Sequence, residues 1–176
     1  MEIRALRASD DRSRFASGDE SLDRFFRVYA GQNQFRHHLG VTYVAIEAQV
    51  VVGYATVAPG ELAADRLPAA DRKRLPGYPM PVLRLARLAV DRAVQSQGLG
   101  KLLLRFVLEL AAKLATDVGC AGLVVDAKPP AIRFYERFGF RSCDSVVEGA
   151  SEARPQPTLM FLPTRLILEA RSKRRR

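Results

Sequence analysis

Residues 82–114 constrain the fold more than any other stretch of this chain. Val82-Leu83-Arg84-Leu85-Ala86-Arg87-Leu88-Ala89-Val90 reads as a strand, and Gln95-Ser96-Gln97-Gly98-Leu99-Gly100 follows it. Beyond the turn, Leu99, Leu102, Leu103, Phe106, Val107, Leu110, Ala111 and Leu114 form a stripe at helical spacing. Glycines at a helix start leave backbone N–H groups bare, and the helix dipole adds roughly half a positive charge there. A strand, a glycine turn and an amphipathic helix in this order suit an anion such as a pyrophosphate. Lys101 and Arg105 add positive charge, and residues 92–108 contain no acid. The turn lacks G-x-x-x-x-G-K-[ST], which argues against a P-loop, and it lacks the third glycine of a dinucleotide fold. The alternative is an ordinary glycine-rich turn between a strand and a helix.

At 176 residues the chain has the length of one domain with a real core. Met1-Glu2-Ile3-Arg4-Ala5-Leu6-Arg7 contains no apolar leader segment. The longest apolar-rich stretch, 102–112, is broken by Arg105 and Glu109 and is too short to span a bilayer, so no membrane association is expected. Cys120 and Cys143 have no metal-ligand spacing, no metal is expected, and Cys120 is read as a small hydrophobe in an apolar strand. The cytoplasm is the expected location. Net charge is +9, of which Arg171-Ser172-Lys173-Arg174-Arg175-Arg176 supplies five positive charges. The tail reads either as a contact for a polyanion such as nucleic acid or as a solvated extension.

The rest of the chain reads as a mixed α/β sheet with flanking helices. Residues 2–7 suggest a first strand. Asp19 or Ser17 is positioned to cap a helix carrying Leu22, Phe25, Phe26 and Tyr29. Val41–Glu47 and Val50–Val57 form a hairpin across Ala48-Gln49, with Gly53 marking a bulge or a close backbone approach to a ligand. Residues 59–81 hold five prolines and one short helix near 69–74. The long helix is expected to end near Gly119, a buried strand to span 121–127, a short helix 131–137, and a last strand 158–162 after a polar loop over 148–157. The domain is placed at 1–165 and the basic tail at 166–176. In Ala131-Ile132-Arg133-Phe134-Tyr135-Glu136-Arg137-Phe138-Gly139-Phe140, Phe134 and Phe138 are expected to face the core. Tyr135 lies just off that stripe, where its hydroxyl reaches a cleft or simply packs.

Q-x-x-G-x-G at 95–100 and F-Y-x-x-x-G-F at 134–140 resemble the two hallmarks of the GCN5-related N-acetyltransferases, the GNAT superfamily. Phe15-x-x-Gly18-x-x-x-Leu22-Asp23-x-Phe25, Gln32-Asn33-Gln34, Val52-Gly53-Tyr54, Leu67-Pro68, Leu75-Pro76, Arg87-Leu88-Ala89-Val90-Asp91 and Val125-Asp126-Ala127-Lys128 follow in an order similar to the toxin branch. Those toxins of type II toxin–antitoxin systems acetylate the α-amino group of aminoacyl-tRNA and block translation. The similarity runs from about residue 12 to 162. Pro129-Pro130 departs from the acid that the branch often carries after its lysine, and the basic tail has no family counterpart.

The resemblance implies the GNAT fold and acetyl-coenzyme A as co-substrate. Leu88, Ala89 and Val90 would pair through their backbone with the pantetheine arm. Gln95, Ser96, Gln97, Gly98, Leu99 and Gly100 would hold the pyrophosphate, with Lys101 beside them. Tyr135 would protonate the leaving thiolate, and Arg87 would point to the acceptor. Alternation puts Arg87 on the face of Leu83 and Leu85, so that role requires a nearby bulge. The implied partners are aminoacyl-tRNA, a ribbon-helix-helix antitoxin and a second copy in a homodimer.

A tyrosine suits proton donation, since its usual pKa of about 10 lies near the roughly 8.5 of a cysteine thiol. No general base is evident. His37 and His38 read as solvated loop residues. A free α-amine, with a pKa of about 7.7–8.0, needs such a base less than a lysine at about 10.4. Two other readings stand beside the toxin. One is a GNAT enzyme acting on a small-molecule or protein amine, and the other is a non-catalytic nucleic-acid-binding module, which intact Gly98, Gly100 and Tyr135 argue against.

Overall fold

The computed structural model describes residues 1–143 and 156–174. Most of the expected polar loop over 148–157, and the last two residues of the expected tail, lie outside them. Seven strands form one sheet in the order β1-β2-β3-β4-β5-β7-β6. They are β1 (Glu2–Ala5), β2 (Val41–Glu47), β3 (Val50–Leu62), β4 (Met80–Val90), β5 (Gly122–Ala127), β6 (Arg141–Ser142) and β7 (Thr158–Pro163). The chain divides into two compact units, residues 1–58 with 85–109 and residues 59–84 with 110–176.

In the first unit β2 pairs antiparallel with both β1 and β3. Ala48 and Gln49 turn the hairpin with φ of 47° and 67°, the left-handed pair that a two-residue turn requires. Register slips after Ala45: Ala45 faces Gly53 and Ile46 faces Val51, so Val52 bulges. The Val52 carbonyl then accepts the Asp91 N–H at 2.9 Å. A Cβ at Gly53 would lie 3.0 Å from Leu103 Cδ1, and 3.2 Å from both the Ala89 carbonyl and Leu99 Cδ2. The bulge expected at Gly53 is present, and the backbone approaching it is the chain's own.

Helix α1 (Glu20–Arg24) starts at Asp19, whose carboxylate accepts from the N–H groups of Ser21 and Leu22. It continues as a π-helical turn, Phe25–Tyr29, and then α2 (Ala30–Phe35). The wider turn brings Ala30 into the core and leaves Tyr29 outside, so the stripe expected at Leu22, Phe25, Phe26 and Tyr29 ends one residue later. Phe26 stacks on Tyr54 at 4.3 Å and 6°, Phe15 meets both rings edge-on, and the Tyr54 hydroxyl donates to the Leu22 carbonyl at 2.8 Å.

Helix α4 (Leu99–Asp117) buries Leu99, Leu103, Leu104, Val107, Ala111 and Ala112. Leu102 is 42% exposed, so the buried arc includes Leu104 in place of Leu102. Three consecutive leucines offered two phases, and packing chose the second.

In the second unit β5 runs antiparallel to β7 from Gly122↔Pro163 to Ala127↔Thr158, and β6 joins the other side of β7. Leu62, Leu67, Met80, Val82, Val124 and Phe161 form its core, with Leu75 packed against it. Leu67 and Leu75 thus anchor the proline-rich connection, which also contains α3 (Ala69–Arg72). Asp71 on α3 is buried between Arg165 (3.4 Å) and Arg141 (3.7 Å). Beyond β7 the chain becomes helix α6 (Thr164–Arg174), which carries most of the basic tail placed at 166–176. Thr164 Oγ1 donates to the Cys120 carbonyl at 2.7 Å, and Ile167 is buried. Cys120 and Cys143 are buried. Among the described residues no helix is long and apolar enough to cross a membrane, and no cluster of acids, histidines and cysteines fits a metal ion.

Candidate active site

The first unit presents the glycine turn at the start of α4. Gly98 has φ +87° and Ser96 φ +64°, so two residues of the turn lie in the left-handed region. The first helical hydrogen bond runs from Leu102 N–H to the Gly98 carbonyl at 3.1 Å. The N–H groups of Leu99, Gly100 and Lys101 therefore precede the helix ladder. A Cβ built at Gly98 would meet nothing within 4 Å. Open space beside bare N–H groups at the positive end of a 19-residue helix fits a pyrophosphate. Lys101 is exposed next to it.

The side chain of Gln95 bonds to backbone of the protein beside the turn. Its Nε2 donates to the Val90 carbonyl at 2.9 Å and to the Ser17 carbonyl at 2.7 Å. The side chain thus ties the end of β4 and the segment before α1 to the turn. More hydrogen bonds join the same segments. The Arg92 N–H donates to the Ala16 carbonyl at 2.9 Å, and the Asp91 carboxylate accepts from Ala16 N–H and Ala93 N–H, both at 3.0 Å. Ser17 is held in turn by buried Asp23, which accepts from its N–H at 2.8 Å and its hydroxyl at 2.6 Å. Sequence reasoning missed this brace. Its only sequence signal is a set of hydrogen-bonding residues at Ser17, Asp23 and Asp91, and no local rule pairs residues some 75 positions apart.

Of the three residues expected along the pantetheine arm, Ala89 is buried and Leu88 and Val90 are half-buried. Val90 already uses its carbonyl for Gln95. Arg87 is half-buried, with its guanidinium 3.7 Å above the ring of Phe25. That cation–π contact fixes the charge on a rigid aromatic base. His37 and His38 are exposed, with His37 Nε2 3.3 Å from Gln32 Nε2.

Tyr135 belongs to the second unit, on α5 (Ile132–Glu136) after a 3-10 turn at Pro129–Ala131. It is 6% exposed, while Phe134 and Phe138 are half-buried, the reverse of the expected order. The reason is the short helix. Gly139, at φ +89°, folds the chain so that the buried ring of Phe140 meets Tyr135 edge-on at 5.4 Å. Phe134 meets it edge-on at 5.1 Å. Burial pushes the Tyr135 phenol up to about 12. It is protonated at any physiological pH and is available as a hydrogen-bond donor.

The acetyltransferase (GNAT) domain family matches residues 38–142. The tRNA-acetylating toxin of Mycobacterium tuberculosis is 36% identical over 140 residues, spanning 78% of this chain and 82% of the relative. Among solved structures, AtaT complexed with acetyl-methionyl-tRNAfMet superposes with a TM-score of 0.81 at 26% identity, over 96% of this chain and 98% of the other. A tyrosine mutant of KacT gives 0.79 at 26%, over 97% and 99%. With its glycine turn, F-Y-x-x-x-G-F helix and α/β sheet, the chain belongs to the GNAT acetyltransferases, enzymes that transfer acetyl from acetyl-coenzyme A to an amine.

Proposed function

We propose that this chain acetylates the α-amino group of an aminoacyl-tRNA and so blocks translation, as the toxin of a type II toxin–antitoxin pair. The observation that carries the reading is the relative named a tRNA-acetylating toxin, aligned over most of both chains. The match to AtaT in complex with an acetylated aminoacyl-tRNA supports it. A cytoplasmic location, a homodimer and a ribbon-helix-helix antitoxin belong to the same proposal.

Acetyl-coenzyme A supplies the acyl group as a thioester. The N–H groups at Gly98 to Lys101 bind its pyrophosphate, and the backbone of Leu88 to Val90 aligns its arm. Arg87, seated on Phe25, faces the acceptor. The neutral amine attacks the thioester carbonyl, and the C–N bond forms as the C–S bond breaks. Tyr135 gives its proton to the departing sulfur, and the proton the nitrogen loses passes to solvent, from which the phenol is reprotonated. A buried phenol near 12 is a weaker acid than the roughly 10 of a free one, while a free thiol titrates near 8.5. A thiolate leaving into equally dry surroundings would have its own pKa raised, which would narrow that gap. The acceptor eases the other half of the reaction. At pH 7.4 roughly a quarter of an α-amine is neutral, against about one in a thousand lysines.

The test is acetylation of total charged tRNA with labelled acetyl-coenzyme A, beside uncharged tRNA, free polyamine and protein. Label in the aminoacyl moiety, with growth arrest on expression without a partner, supports the proposal. Faster labelling of polyamine or protein, with harmless expression, assigns the enzyme to small or protein amines instead.

A further inference from the structure

In the first unit an open cleft of about 360 Å³ lies between the segment after β1 and helix α2, lined by Arg12, Gly31, Gln32, Phe35 and Arg36 among others. Arg12 is unusual here. Its Nε and Nη1 are shielded from solvent, and neither has a hydrogen-bond partner among the described residues. A guanidinium with unmade bonds is unfavourable and calls for an explanation. Its seat is specific. A Cβ at Gly31 would lie 3.1 Å from Arg12 Nη2 and 3.3 Å from Nη1, so the guanidinium rests on a stretch of helix that has no side chain.

The surroundings indicate what would complete it. Residues 24–46 hold three arginines, two histidines and no acid. Phe35 is 44% exposed at the cleft, although a phenylalanine this open gains little from folding. Gln32 and Arg36 also line it, adding an amide and a second guanidinium. Forked guanidinium donors match phosphate oxygens. An exposed ring beside them offers a base a stacking platform, and an amide can meet its edge. Gln34 holds α2 in place, donating to the Leu6 carbonyl at 3.0 Å and accepting from Thr42 N–H at 2.8 Å.

We propose that this cleft binds the RNA of the acceptor, with a backbone phosphate on Arg12 and Arg36 and the adjacent unpaired base on Phe35. The proposal rests on the aminoacyl-tRNA reading and assigns that substrate a second contact. The side chain of Arg12 is only half-buried, so rotation of its end turns the unbonded N–H groups toward an entering phosphate.

Three variants test it in the full chain: Arg12→Gln, Phe35→Ala and Gly31→Ala. Gly31→Ala is the informative one. It puts a better helix former in α2 and displaces only the end of a flexible side chain, so loss of fold does not explain its effect. Expected for Arg12→Gln and Gly31→Ala is a KM for charged tRNA raised about tenfold, the scale of one charge-assisted hydrogen bond. The plot of log affinity for uncharged tRNA against log salt should flatten by about 0.7, one single-strand phosphate contact. Phe35→Ala should raise the same KM and leave the salt slope alone, because stacking releases no counterion. Calorimetry with acetyl-coenzyme A reports whether the turn is intact. Unchanged KM and slope in all three variants, with charged tRNA still acetylated by the unsubstituted chain, overturn the cleft and spare the functional reading. Weakened antitoxin binding with unchanged tRNA kinetics assigns the cleft to a protein partner and overturns it too. If the unsubstituted chain does not acetylate charged tRNA, both proposals fall.

Discussion

Gln95→Ala separates two roles for the first residue of Q-x-x-G-x-G. If the side chain holds the pyrophosphate directly, its loss is felt only when the ligand is bound. The structure gives it another partner set: Nε2 bridges the Val90 and Ser17 carbonyls at 2.9 and 2.7 Å. Each such hydrogen bond contributes about 0.5–1.5 kcal/mol net. Both lie at the surface, where water replaces the lost donor, so the pair is worth about 1–2 kcal/mol. For a chain of this length that lowers Tm by roughly 3–6 °C. A loosened turn must be ordered again when the ligand binds, so acetyl-coenzyme A affinity should fall by about 5- to 30-fold. Gln95→Glu should bind more weakly still, since it faces two carbonyl oxygens and a phosphate with a negative charge. Scanning fluorimetry without ligand and calorimetry with it read the two effects separately. A Tm within one degree of the unsubstituted chain, together with a large loss of affinity, would refute the brace and restore the direct role. A lowered Tm with affinity unchanged would show that the brace supports the fold and not the turn.

Tyr135→Phe keeps the edge-on ring contacts and removes the donor, so turnover should fall by roughly 10² or more while acetyl-coenzyme A still binds by calorimetry. Gly98→Ala projects a Cβ into the open anion space from a backbone at φ +87°. It should weaken acetyl-coenzyme A binding without altering the circular dichroism spectrum. Gly122→Ala is a fold test: its Cβ would lie 2.2 Å from Phe161 Cε2 and 2.6 Å from the Leu162 carbonyl, overpacking β5 against β7. Urea unfolding should show a loss of about 3 kcal/mol. The pH profile of kcat/KM on charged tRNA should rise as the acceptor amine deprotonates below about pH 8. It should then stay level to the alkaline limit of the assay, because burial keeps Tyr135 protonated to about 12. A falling limb between pH 8 and 10 that disappears in Tyr135→Phe would contradict that environment.

The parts of the fold that follow from local rules were legible. The β2–β3 hairpin depends on period-two alternation and two turn residues. The start of α4 depends on two glycines and a helical stripe, and Asp19 needs only the next turn of chain. What escaped was decided by tertiary packing. Nothing local distinguishes Leu102 from Leu104, and only packing buries one and leaves the other exposed. The last residues look like a solvated basic tail until Thr164 meets the Cys120 carbonyl and Arg165 meets Asp71. Asp71 itself reads as a surface acid in a proline-rich loop, because the two arginines that make its burial tolerable lie 70 and more residues further on.

The site divides along the same line. Anion binding at a helix start is a property of backbone, and the six residues from Gln95 to Gly100 are the stretch proposed to supply it here. The position and stiffness of that backbone come from elsewhere in the chain. The Val52 carbonyl, at the bulge, accepts the Asp91 N–H, and the Asp91 carboxylate accepts the Ala16 N–H. Asp23 then fixes Ser17, whose carbonyl receives Gln95. Each link is a short polar residue or an irregular strand, and none carries a periodic signal. The same chain of contacts joins the turn to α1, which leads into α2 and its basic cleft. Substitutions at Asp23 or Asp91, which touch neither phosphate nor amine, should therefore act on acetyl-coenzyme A affinity through the turn they hold.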